Sequence, residues 1–131
     1  MGDTPVEQLM TEPVLTVNPG DRVGDVGEAM LQQGIKSVVV IDDQCRPEGI
    51  LTSTDFIEIA TDGPEATNES VADRMTTDIY TVSTDKQVEA AAELMITEGI
   101  SHLPVVDDRE VVGILSMTDI VAGRPDLPEP N

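Results

Sequence analysis

Two heptads, GILTSTD at 49–55 and GILSMTD at 113–119, place a threonine hydroxyl and an aspartate carboxylate after the same apolar triplet. An ionised carboxylate only accepts hydrogen bonds and has room for two vicinal hydroxyls, while a threonine hydroxyl beside the free N–H groups of an opening helix can receive a phosphate oxygen. The same residues also suit a plain helix start, with Thr54 or Thr118 capping and Asp55 or Asp119 facing the positive end of the helix dipole. Repetition does not separate these readings, because duplicated helices carry duplicated caps.

Other reactive groups are sparse. His102 and Cys45 are the single histidine and the single cysteine, too few for a zinc cluster, and one cysteine excludes an intrachain disulfide. Cys45 falls in a predicted turn with no second thiol or base nearby, which describes a surface thiol. No G-x-S-x-G, P-loop or H-E-x-x-H pattern occurs, so the chain is not expected to be an enzyme or to require a cofactor or metal.

Charge narrows the partners. The chain has 26 acidic and 7 basic residues, a formal net charge of −19, with Lys36 and Lys86 the only lysines. Such a surface repels nucleic-acid phosphates and anionic membranes. The acids are scattered, and 39% apolar residues argue for a folded core over disorder. A scattered acidic surface suits a salt-rich, halophilic cytoplasm, where a Debye length of about 3 Å near 1 M salt screens the self-repulsion. The opening MGDTPVEQLMTEP has no basic region followed by an apolar run, and no stretch approaches the roughly 20 apolar residues of a membrane span, so a cytoplasmic location is expected.

The elements that carry the heptads are themselves duplicated. At an offset of 65, VEQLMTEPVLTV (6–17) pairs with VADRMTTDIYTV (71–82), and a third of the paired positions from Val6 to Gln44 are identical. One residue of slippage in QCRPEG (44–49) then aligns the heptads at an offset of 64. Each copy reads as a short strand (VLTV or IYTV), an amphipathic helix (22–33 or 86–98), an apolar strand (SVVVID or LPVVD), the GIL strand and a final helix. Asp21, and Thr84 with Gln87, are the expected caps of the first helices, and Gly34 and Gly99 their left-handed ends. The expected fold is α/β (α+β), two β-α-β-β-α repeats. Their spans are 5–61 and 71–122, with a linker at 62–70 and a flexible tail at 123–131. A repeat of about 60 residues buries little surface alone, which suggests one shared core.

This ordered succession, h-x-x-h-M-T, T-V, a helix ending in G-I, V-V-h-D-D and G-h-L-[ST]-x-x-D, resembles the cystathionine β-synthase (CBS) domain. Two copies over about residues 5–122 resemble a pseudo-two-fold CBS pair. The resemblance implies a stand-alone regulatory or sensor module that binds an adenosyl ligand, such as AMP, ADP, ATP, S-adenosylmethionine or NAD, in clefts between the repeats. The alternative is a ligand-independent dimerisation or protein-interaction module. By resemblance the first cleft combines Thr54 and Asp55 with Ile79, Tyr80, Thr84, Ile100, Ser101 and His102. The second combines Thr118 and Asp119 with Val14, Leu15, Ile35, Lys36 and Ser37. Tyr80 could stack on adenine and His102 meet a phosphate, whereas SVVVID lacks the form of HLPVVD and Pro19 stands where Thr84 does, so the second cleft departs from the pattern. The resemblance also implies a homodimer, for which DFIEIA (55–60) and TDIVA (118–122) offer apolar faces, and an effector on another chain.

Overall fold

The computed structural model describes residues 4–11 and 14–123, which fall into two compact units. Leu15–Ile79 form a central unit; Met1–Val14 and Tyr80–Asn131 form a terminal unit. Of residues 123–131, expected as a flexible tail, Gly123 is the last residue of a helix and 124–131 lie outside the described residues.

The central unit runs β1 (Thr16–Val17), α1 (Val23–Gln33), β2 (Ser37–Ile41), β3 (Pro47–Thr52) and α2 (Ser53–Thr61). The terminal unit repeats it with β4 (Val82–Ser83), α3 (Val88–Glu98), β5 (His102–Asp107), β6 (Glu110–Ser116) and α4 (Met117–Gly123). In each sheet the middle strand pairs parallel with the short strand before the helix and antiparallel with its hairpin partner. The mixed α/β succession expected from the repeats is thus the one observed. Val38, Val39 and Val40 have no exposed surface, which explains why β2 shows an unbroken apolar run. Val23, Val26 and Met30 of α1, like Val88, Ala91 and Met95 of α3, turn inward. Gly34 and Gly99 end these helices at φ 65° and 69°, a left-handed conformation that costs glycine nothing.

Each unit is closed by a segment from the other sequence repeat. Val6 N–H donates to Lys86 O at 2.7 Å, Val88 N–H to Thr4 O at 2.9 Å, and Thr11 exchanges backbone bonds with Ile114 at 2.8 and 3.2 Å. In the central unit Val71 N–H donates to Asp21 O at 2.8 Å, Val23 N–H to Glu69 O at 2.9 Å, and Thr76 exchanges two bonds of 3.0 Å with Ile50. These bonds correct the expected caps. Helix α1 starts after Arg22 and α3 after Gln87, and their first N–H groups are satisfied by the carbonyls of Glu69 and Thr4, so no side-chain cap is needed. Asp21 instead accepts the Asn18 N–H at 2.9 Å.

The closing segments also bring buried apolar groups. Val71 and Ala66 join Val17, Val38 and Leu51 in the central cluster, and Val6 joins Leu103, Leu115 and Ile120 in the terminal one. Each unit thus has its own cluster of buried side chains. Residues 62–70, expected as a linker, contain a 3-10 turn at Pro64–Asn68, and Arg74 ties them down. It pairs with Glu69 at 2.8 Å and Asp62 at 2.6 Å, and its side-chain hydrogen bonds hold the Glu69 carboxyl below its ordinary value. The one-residue slippage between repeats lies in the β2–β3 hairpin, which turns through 42–46 where β5–β6 turns through Asp108 and Arg109 alone. Asp42 organises the longer turn by accepting the N–H groups of Arg46 and Gln44, and those bonds lower its carboxyl from the usual range.

The closing segments approach the GIL strands so tightly that only glycine fits. A Cβ at Gly49 would stand 2.7 Å from the Met75 sulfur and 2.8 Å from the Thr76 carbonyl, and one at Gly113 would stand 2.6 Å from the Met10 sulfur. Gly49→Ala should therefore destabilise the protein by about 1–3 kcal/mol. Gly20→Ala, with nothing within 4 Å of the added methyl, should change stability by no more than about 0.5 kcal/mol. Chemical denaturation of the two variants checks the contrast, and equal midpoints would refute the packing account.

Candidate functional site

Both Thr-Asp pairs sit where a GIL strand hands over to its helix, and in both units this junction is stapled to the mouth of the middle strand. Ser53 N–H donates to the Lys36 carbonyl at 3.0 Å, with the Ser53 hydroxyl 3.3 Å from the same oxygen, and Met117 N–H donates to the Ser101 carbonyl at 3.0 Å. Ser37 pairs with Thr52, and His102 with Ser116. The strand register thus sets Lys36 and Ser37 beside Ser53–Asp55, and Ser101 and His102 beside Met117–Asp119.

The helix caps are not the threonines expected. α2 is capped by Thr52, and Ser116 takes the same place before α4, with Asp55 and Asp119 three residues on. Thr52 N–H and Oγ1 reach Asp55 Oδ2 at 2.8 and 3.2 Å. Ser116 N–H reaches Asp119 Oδ2 at 2.9 Å, and Asp119 N–H returns a bond of 3.0 Å to the Ser116 hydroxyl. These are capping boxes, which fix the position of each carboxylate. Thr54 and Thr118 are exposed, one residue before each aspartate. Their hydroxyls make no hydrogen bond among the described residues. The signal for the true caps was in the heptads: of the positions at which they differ, 52 and 116 keep a hydroxyl.

The other expected site residues distribute as follows. In the central unit Leu15 and Ile35 are half-buried against the core, Ser37 is buried, Lys36 projects into solvent and Ile79 is half-buried. In the terminal unit Val14 and Ile100 are half-buried, and Thr84 is held by its N–H to Val106 O at 3.2 Å. Tyr80 is partly exposed and its hydroxyl donates to Glu98 at 2.9 Å. His102 Nδ1 lies 3.1 Å from the Ser101 hydroxyl. Asp55 and the Ile100–His102 stretch belong to different compact units, as do Asp119 and Leu15–Ser37. A residue that the sequence reading missed is Thr11, whose hydroxyl lies 3.2 Å from Asp119 Oδ1.

The chemistry available at each junction is that of a hydrogen-bond acceptor on a rigid element, with an exposed hydroxyl beside it. Among the described residues no group of three potential ligands could hold a metal ion, and no helix is long and apolar enough to cross a membrane.

A family model described as the CBS domain matches residues 6–62 and 70–125. The chain is 32% identical over 129 residues to an uncharacterised protein, MK0525, of Methanopyrus kandleri, matching 97% of this chain and 66% of that one. It is 32% identical over 119 residues to the inosine-5'-monophosphate dehydrogenase of Methanocaldococcus jannaschii, spanning 90% of this chain but 23% of the enzyme. Among solved structures, the CBS domain pair of protein MJ0100 in complex with 5'-methylthioadenosine and S-adenosyl-L-methionine superposes with a TM-score of 0.85 at 25% identity, covering 95% of this chain and 98% of that one. Protein MJ1225 from Methanocaldococcus jannaschii, a putative archaeal homolog of g-AMPK, superposes with a TM-score of 0.80 at 29% identity over 92% of this chain and 48% of its own.

Proposed function

The chain belongs to the CBS domain family, and from that premise we propose that it is a regulatory module, with no catalysis of its own, that binds an adenosyl ligand through Asp55 and Asp119. The observation that carries this reading is the duplicated junction, a carboxylate fixed by a capping box next to an exposed threonine. At Asp55 both capping bonds go to Oδ2, and Oδ1 has no partner among the described residues. A ribose diol offers the two O–H donors that such an acceptor takes. The MJ0100 complex supports the ligand class, since that CBS pair holds two adenosyl compounds. The strand-mouth residues named above would meet base and phosphate. The dehydrogenase relative fits the same role, because this chain matches only 23% of it.

Ligand charge decides among the adenosyl compounds. A −19 chain repels a triphosphate, and Lys36 and His102 are the only cationic or titratable bases among the expected site residues. AMP, 5'-methylthioadenosine or S-adenosylmethionine should bind more tightly than ATP at low salt. The chain has no Trp and one Tyr, so bound adenine would dominate absorbance near 260 nm. The purified protein should show that band, with the compound identified by mass spectrometry, and calorimetric titration should give Asp55→Ala a roughly 10- to 100-fold loss of affinity, more than Asp119→Ala. The reverse order would sink the ranking. Failure of every adenosyl compound to bind would leave the second reading, an interaction module without ligand.

That module would assemble as a homodimer in either case, through the central unit's helices. Ile57 on α2 is 66% exposed and Leu31 on α1 is 85% exposed, apolar area with no use inside the unit. TDIVA contributes less than its sequence suggests, because Ile120 is fully buried in the terminal cluster. Sedimentation equilibrium should return twice the chain mass, and Ile57→Asp should shift it toward the monomer; a monomeric wild type would end the proposal.

The acidic surface carries a separate expectation, adaptation to salt. The thermal midpoint should rise steadily with KCl as self-repulsion is screened. A midpoint already maximal at low salt would contradict it.

A further inference from the structure

The two junctions are chemically unequal, and we propose that the Thr11 hydroxyl is a built-in occupant of the Asp119 carboxylate, an autoinhibitory contact that an adenosyl ligand must displace and that Asp55 lacks. This rests on the adenosyl reading and adds a regulatory step to one of its two sites. Asp55 directs both capping bonds to Oδ2 and leaves Oδ1 open among the described residues. At Asp119, Oδ2 takes the Ser116 N–H at 2.9 Å, and the Thr11 hydroxyl then spans the carboxylate, 3.2 Å from Oδ1 and 3.3 Å from Oδ2. The counterpart of Thr11 at the repeat offset is Thr76. Its backbone pairs with Ile50 as that of Thr11 pairs with Ile114, yet its hydroxyl makes no hydrogen bond among the described residues.

Thr11 therefore offers Asp119 the same kind of group that a ribose would, an O–H donor to a carboxylate, but one such donor where a diol has two. Its backbone is pinned by the two bonds to Ile114, and the segment before it by Val6 and Glu7 to the carbonyls of Lys86 and Thr84, so the hydroxyl is always at hand. An intramolecular competitor of this kind acts at high effective concentration, and apparent affinity falls with the fraction of molecules in which the acceptor is free. Release is simple. Thr11 is exposed, so rotation about χ1 passes its hydroxyl to water and the pairing with Ile114 stays intact.

Titration calorimetry with 5'-methylthioadenosine and with AMP on the full chain tests this, using Asp55→Ala as background so that Asp119 alone reports. Thr11→Val removes the hydroxyl but keeps the branched shape, and should tighten binding by about tenfold; Thr11→Ala should act likewise. Thr11→Ser should leave affinity within about twofold, and so should Thr76→Val tested at Asp55 in an Asp119→Ala background. If Thr11→Val and Thr11→Ala bind no more tightly than their parent while the wild type binds the probes, the latch is wrong and the adenosyl reading stands. If neither probe binds the wild type or any variant, the adenosyl reading falls and the latch with it.

Discussion

Both units depend on one steric constraint, the approach of a Met-Thr backbone to a strand glycine. With Thr76 bonded to Ile50 in both directions, the chain before it lies across β3, and the same holds for Thr11 against β6. A side chain at Gly49 or Gly113 would hold these segments off and break the pairs. It would also withdraw the carbonyls of Glu69 and Thr4 from the starts of α1 and α3, leaving orphan N–H groups at the helix ends. Val71 and Val6, fully buried members of the two clusters, belong to these segments. Strand pairing, helix initiation and core closure thus share the same contact.

The candidate junction inherits its rigidity from this arrangement. Each aspartate is held by its own helix turn, the turn is bonded to the carbonyl of Lys36 or Ser101, and that residue leads into the middle strand of the sheet. A carboxylate locked in this way loses little freedom when it meets a ligand. Exposed neighbours such as Thr54 and Thr118 keep theirs, which suits adaptable contacts.

The repeats were legible because they are written in period and spacing. The valine run of β2, the stripe Val23, Val26 and Met30, and the left-handed glycines each state a local preference that the fold obeys. What the sequence hid was non-local. Asp21 reads as a cap by composition, and only the backbone bond that Val23 N–H donates to the Glu69 carbonyl makes a side-chain cap unnecessary. Residues 62–70 look like a linker because the stretch is polar and carries Gly63 and Pro64, but Arg74, beyond their end, pins them through Asp62 and Glu69. Thr54 and Thr118 looked like caps because strand ends are hard to place to within two residues. Thr11 had no local signal at all, being far from Asp119 in sequence.

Duplication explains both the shared design and its departure from symmetry. Two copies of one junction start with equal chemistry, and the exchanged segments supply each with a threonine at the same backbone position. A hydroxyl that reaches the carboxylate on one side and not on the other turns two equal acceptors into an open one and an occupied one. Asp55 retains an acceptor oxygen for a donor from outside, while at Asp119 any such donor would meet a hydroxyl already in place. Screening by salt weakens both contenders there alike, because each is an O–H facing the same anion. Under the proposed adenosyl reading the balance at Asp119 is then governed by geometry, that is, by how many hydroxyls a ligand can present at once, and a vicinal diol has the advantage over a single threonine.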